Sequence, residues 1–148
     1  MQKIFIGSDH AGFKLKEKLK KLLKTKKIKL IDLGTSSTES VDYPDIAKKL
    51  AKKVVKEKAK GILLCGTGIG MSITANKIKG IRAALVYNIK TAKLAKEHNN
   101  ANIICIGART QKEKKALQMI KAWLNARFQK GRHLRRIKKI EGFKCMKS

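Results

Sequence analysis

Five strand-length apolar runs, each separated from the next by a stretch of helical periodicity, restrict this chain more than any other feature. The runs occupy residues 3–7 (KIFIG), 28–33 (IKLIDL), 61–65 (GILLC), 82–87 (RAALVY) and 103–107 (IICIG). Between them, Leu15, Leu19, Leu22 and Leu23 recur at helical spacing and predict a helix ending near Lys24. Pro44 suits the first turn of a second helix, whose apolar side carries Ile46, Ala47, Leu50, Ala51, Val54 and Val55. Further helices are expected from about 69 to 77, from 91 to 97 and from about 111 to 126. The last of these turns Ala116, Leu117, Ile120, Trp123 and Leu124 inward. Strands and helices alternating five times predict an α/β fold with a parallel sheet covered on both faces, within one domain spanning 1–148.

The glycine-rich stretch after the third run carries the first chemical signal. Cys65 ends an apolar strand, Gly66, Gly68 and Gly70 follow at every second position, and a helix begins near Ile69. Such a turn lacks every second Cβ, so backbone N–H groups can converge on an anion beside the positive end of the helix. A thiol in that setting can have its pKa lowered. A cysteine in an apolar strand can equally be core filler. The turn has neither the G-x-G-x-x-G spacing of dinucleotide sites nor the Lys-Ser or Lys-Thr of a P-loop, so nucleotide and cofactor readings lose ground.

Asp9 and His10 lie just past the first strand, where they read either as functional groups or as a helix cap and a turn residue. His98, before Asn99, can be a helix C-terminal residue or a site residue. Arg109 follows the fifth strand. Asp9, His10, Cys65, His98 and Arg109 are expected at one sheet edge, where open α/β sheets bind ligands. Tyr43 beside a helix start can pack or line a pocket. The segment 131–136 (GRHLRR) is not needed to complete the sheet, and Arg132 and Arg136, four apart, can share a helix face and clamp a phosphate. The C-terminal segment 127–148 is expected to reach a neighbouring subunit.

A formal charge of +27 admits nucleic acid as a partner, yet all but six of the 37 basic residues are lysine and they are spread over every expected helix. Solvated helix faces account for that distribution, and a positive field also draws in a phosphorylated metabolite. No apolar run approaches the roughly 18 residues of a membrane span. The first strand begins too early for a secretory signal, which predicts a cytoplasmic protein. Cys65, Cys105 and Cys145 form neither an even framework nor a C-x-x-C pair, so neither a disulfide scaffold nor a cysteine zinc site is expected.

Taken together, residues 7–12 (GSDHAG), 42–44 (DYP), 65–70 (CGTGIG), 75–77 (ANK), 97–99 (EHN), 107–109 (GAR) and 131–133 (GRH) resemble the type B ribose-5-phosphate isomerases, within the broader ribose and galactose phosphate isomerase family. The resemblance spans nearly the whole chain in order. It implies a Rossmann-like α/β/α sheet in strand order 2-1-3-5-4, and a homodimer or homotetramer with active sites between subunits. The implied activity is interconversion of ribose 5-phosphate and ribulose 5-phosphate through an enediolate, without metal or organic cofactor. Carried onto matching positions, Cys65 is the base, His98 assists ring opening, Asp9 handles hydroxyl protons, and Thr67 joins them as a catalytic residue of the turn. Gly66, Thr67, Gly68, Ile69 and Gly70 hold the enediolate, and Asn99 binds sugar hydroxyls. Arg132 and Arg136, with His10 and Arg109 nearby, bind phosphate. Two alternatives remain open: a six-carbon substrate such as allose or galactose 6-phosphate, and a basic nucleic-acid-binding module on the same scaffold.

Overall fold

The computed structural model describes residues 1–142; Cys145 and the end of the 127–148 segment lie outside the described residues. Among the described residues, strands β1 (Gln2–Ser8), β2 (Ile28–Asp32), β3 (Lys60–Cys65), β4 (Ala83–Leu85) and β5 (Ile103–Gly107) alternate with helices. The helices are α1 (Phe13–Leu23), α2 (Tyr43–Glu57), α3 (Ile69–Ala75), α4 (Ile89–Glu97), α5 (Glu113–Asn125) and α6 (Arg132–Glu141). All strand pairs are parallel, in the order β2-β1-β3-β5-β4, as the resemblance implies.

The two faces of the sheet follow from the period of two along each strand. Ile4, Ile6, Ile62, Leu64, Ile104 and Ile106 point to one side, where they meet Leu15, Leu19 and Leu23 of α1, Ala92 and Ala95 of α4, and Ala116, Met119, Ile120 and Trp123 of α5. Phe5, Leu63, Cys65, Ile103 and Cys105 point to the other, against Ala47, Leu50, Ala51 and Val54 of α2 and Met71 and Ala75 of α3. Both faces of the central strands are therefore dry, which is why their sequences read as unbroken apolar runs. Trp123, the largest buried side chain, satisfies its indole by donating to the Ala101 carbonyl at 3.0 Å.

Local chemistry moved several boundaries. Helix α4 starts two residues earlier than periodicity predicts because Asn88 caps it: its side chain accepts the Thr91 N–H at 2.7 Å, while the Thr91 hydroxyl accepts from the Asn88 N–H. Strand β4 is cut to three residues at the sheet edge, where short strands limit unwanted pairing. The sequence after α5 forms a further helix, α6, so Arg132 and Arg136 do lie one turn apart on one face.

Strand order reverses between β1 and β3: the connection leaving β1 runs to one side of the sheet and the one leaving β3 to the other. The carboxyl ends of these two strands carry Asp9 and Cys65. This is the switch point at which α/β sheets open a crevice for ligands.

Candidate active site

Cys65 is the last residue of β3, with 4% of its surface exposed. Its Sγ accepts the Gly68 N–H at 3.1 Å, so the turn that follows folds back onto the sulfur. That bend requires Gly68 to adopt φ 79°, and a Cβ there would strike Leu85 and the β5 backbone.

Neighbouring strands fasten the same point. The Asp9 N–H donates to the Leu64 carbonyl at 3.1 Å, the Ala108 N–H to the Cys65 carbonyl at 2.8 Å, and the Arg109 N–H to the Gly66 carbonyl at 2.9 Å. Asp9 is buried and does not cap α1 directly; its Oδ1 accepts the Gly12 N–H at 3.1 Å and closes its own turn. The exposed Arg109 lays its guanidinium over Gly66, where a Cβ would lie 3.0 Å from Nη1. His10 is half-buried and its Nδ1 accepts the Val41 N–H at 3.2 Å, which leaves Nε2 as the protonated, donating nitrogen of the neutral ring. Thr67 is exposed, with its hydroxyl accepting the Ile69 N–H at 3.3 Å.

Tyr43 does both things the sequence allows it. Its ring packs on Gly70 in the first turn of α3, so closely that a Cβ on Gly70 would overlap the ring, while the side chain stays partly exposed beside the turn. Gly70→Ala is therefore expected to destabilise the chain by about 1–3 kcal/mol through overpacking, with Tyr43→Ala in the same chain recovering most of the loss. Thermal denaturation of both variants and the double variant measures this.

His98 departs from the expected arrangement. A helix returns antiparallel to the strand before it, so the end of α4 lies at the opposite, amino edge of the sheet from Cys65. Asn102, four residues on, donates from its side chain to the Gly80 carbonyl, accepts the Arg82 N–H at 2.8 Å and offers its own carbonyl to the Gly61 N–H at 2.9 Å. Gly80, Gly61 and Arg82 all lie at the strand beginnings. Asn99 is exposed at the same edge, its carbonyl held by Arg82 Nε at 2.9 Å. The expectation of one common edge for Asp9, His10, Cys65, His98 and Arg109 thus holds for four of the five within a single chain.

A second cluster gathers around His98. Its ring stacks on His133 of α6 with centroids 4.2 Å apart and an interplanar angle of 11°. The Gln129 N–H, just before α6, donates to the Glu97 carbonyl, and Glu141 at the other end of α6 pairs with Arg82, which itself bonds the Asn99 and Asn100 carbonyls after α4. Burial holds the His133 imidazole below its usual pKa, helped by the charges of His98, Arg132 and Arg136. A neutral His133 can stack on His98 without bringing two like charges together. Arg132 and Arg136 are exposed on the same helix. The candidate residues therefore fall into two groups, Cys65, the glycine turn, Asp9, His10 and Arg109 at the carboxyl edge, and His98 and Asn99 at the amino edge with Arg132 and Arg136 on the helix docked there. A strand of five or six residues, about 17–20 Å, separates the two edges.

Two contributors escaped the motifs. Lys16 has a wholly buried side chain, although it sits in a lysine-rich helix. The signal was present, since Lys16, Leu19 and Leu23 follow the inward spacing of α1. Arg82 had no motif at all, and its role in pinning Asn99 and Asn100 is visible only in three dimensions.

Comparisons with known proteins agree with this geometry. Residues 4–140 match the family model described as Ribose/Galactose Isomerase. A ribose 5-phosphate isomerase from Thermotoga maritima has a similar structure at a TM-score of 0.93 and 50% identity, covering 96% of this chain and 99% of that one. Ribose-5-phosphate isomerase B from Mycoplasma genitalium, solved with bound ribulose-5-phosphate, gives a TM-score of 0.91 and 45% identity over 94% of this chain and 93% of that one. Ribose-5-phosphate isomerase B of Escherichia coli (strain K12) is 41% identical over 141 residues, covering 95% of each chain.

Proposed function

Because the chain belongs to the ribose/galactose isomerase family, we propose that it interconverts D-ribose 5-phosphate and D-ribulose 5-phosphate through an enediolate, in sites shared between two copies of the chain. The observation that carries this reading is Cys65 Sγ at the sheet's switch point, bonded to the Gly68 N–H and flanked by Asp9 and Arg109.

In the forward direction the Cys65 thiolate takes the proton from C2 of the open-chain aldose. The C2–H electron pair becomes the C1–C2 double bond, and negative charge develops on the C1 oxygen. Amides of the 66–70 turn other than those of Gly68 and Ile69, which bond Cys65 Sγ and Thr67 Oγ1, meet that charge without having to reorient, and each such donor contributes about 2.7–4 kcal/mol in comparable sites. Cys65 then returns its proton to C1 while Asp9 takes the C2 hydroxyl proton and passes it to the C1 oxygen, which yields the ketose with Asp9 and Cys65 back in their starting states. His98 of the second copy protonates the ring oxygen of the furanose as its bond to C1 breaks and the C1 hydroxyl gives up its proton to water, which leaves the open-chain aldehyde, and Asn99 of that copy holds sugar hydroxyls. Arg132 and Arg136, also from the second copy, meet His10 Nε2 and Arg109 around the phosphate, far enough from C1 and C2 for its binding energy to fix the reacting carbons.

The need for a second copy follows from the opposite edges on which the two groups stand. An apolar surface suited to it lies beside the glycine turn: Ile69 is 50% exposed and Ile73 57%, one turn apart on the outer face of α3, next to the exposed Tyr43. The conversion belongs to the non-oxidative pentose phosphate pathway, and we infer a cytoplasmic location from that role. No helix among the described residues is long and apolar enough to cross a membrane.

The purified chain is expected to convert ribose 5-phosphate to ribulose 5-phosphate at an unchanged rate in excess chelator, and to turn over allose or galactose 6-phosphate more slowly. Faster turnover of a six-carbon phosphate transfers the assignment to that substrate. Salt-sensitive nucleic-acid binding without isomerase activity would replace the enzyme reading by the nucleic-acid one.

A further inference from the structure

Lys16 is the only buried lysine among the described residues, and the mechanism above does not use it. Its ammonium sits between α1, β2 and the loop that follows β2, bonding both oxygens of Asp32 at 2.7 and 2.8 Å and the Thr35 carbonyl at 2.6 Å. Burial pushes the Asp32 carboxyl up, but hydrogen bonds from Lys16, Lys20 and the Gly34 N–H together hold it below its usual range. All three donors of the lysine therefore have partners, two on a charged carboxylate and one on the loop.

The loop at 33–42 has no regular structure and hangs from the sheet at its beginning. The Leu33 N–H donates to the Ile6 carbonyl at 2.9 Å, the Gly34 N–H to Asp32 Oδ1 at 2.9 Å, and the Thr35 N–H to the Ser8 carbonyl at 2.8 Å. At the far end of the loop the Val41 N–H meets His10 Nδ1. This contact sets which imidazole nitrogen carries the proton and where Nε2 points. Asp9, by contrast, is held by Gly12 and Leu64, neither of which belongs to the loop.

We propose that Lys16 is a positioning residue for His10, acting through the loop at 33–42. Its bond to Thr35 fixes the start of the loop, and the fixed loop delivers the Val41 N–H to the imidazole. A buried cation suits this role because its three donors leave the junction one arrangement, and losing one partner there is costly.

The proposal rests on the isomerase reading only for its kinetic consequence, so the test includes a readout that does not need turnover. In Lys16→Met the side chain still fills its space but donates nothing. The 15N shifts of His10 are expected to move from a single Nε2-protonated form in the native chain to a tautomer mixture. KM for ribose 5-phosphate is expected to rise about tenfold with kcat within about twofold, because His10 binds the phosphate in ground and transition states alike. Should Lys16→Met not fold, Asp32→Asn frees the ammonium from its anchor and is expected to move the same two readouts in the same direction by a smaller amount. A folded variant with unchanged His10 shifts, or one whose kcat falls while KM stays constant, overturns the proposal. Altered His10 shifts in a chain that has no isomerase activity would leave the positioning role standing and remove the isomerase reading instead.

Discussion

Cys65→Ala is expected to eliminate measurable isomerisation while leaving the fold intact. Loss of a positioned general base costs about 10²–10⁴ in rate, and alanine has no group that could substitute for it. The cost to stability is about 1–3 kcal/mol, because only a sulfur atom is removed but the buried Gly68 N–H loses its hydrogen-bond partner. Cys105 supplies the control. It lies on the same face of the adjacent strand, fully buried, and desolvation, reinforced by the nearby Cys65 charge, pushes its thiol far above the usual range. A thiol so disposed cannot act as a base, so Cys105→Ala is expected to retain near-native turnover. Equal losses in both variants would mean that packing, and not proton transfer, explains the effect of replacing Cys65. Initial rates with ribose 5-phosphate, beside circular dichroism of each variant, separate the two outcomes.

The alternation of strand and helix was legible because a parallel sheet buried on both faces leaves no room for polar residues in its strands. The candidate cluster around Cys65 was legible for a related reason: residues that follow a strand directly must stand at its carboxyl end, whatever the helices do. His98 broke that rule because it ends a helix, and helix ends in this architecture belong to the opposite edge. The sequence holds that information, but only once the direction of α4 relative to β4 and β5 is considered. Other features could not be read locally. Lys16 looks like its solvated neighbours until Asp32 and Thr35, distant in sequence, close around it. The stacking of His133 on His98 depends on where α6 docks, which no periodicity in 131–141 discloses. Boundary errors had local causes of a different kind, as with the Asn88 cap that lengthens α4.

Mixing two inactive variants is expected to restore activity. In the arrangement proposed here, each site takes Cys65 from one copy and His98 from the other, so Cys65→Ala and His98→Ala each disable both sites of their own homodimer. A mixed dimer differs. One of its sites combines the native Cys65 of the His98→Ala chain with the native His98 of the Cys65→Ala chain, and the other site collects both substitutions. Random reassociation of equal amounts makes about half of the dimers mixed, each with one working site of two, so total activity should recover to about a quarter of the native value. No such recovery is possible if Cys65 and His98 of the same chain serve one sugar, because every chain in the mixture then carries a defect in its own site. The fold of the single chain favours sharing: α4 returns its carboxyl terminus, with His98, to the amino edge, while Cys65 stands at the carboxyl end of β3. Activity that stays at the level of the separate variants after verified subunit exchange would require the two groups to act within one chain, or His98 to act in no site at all.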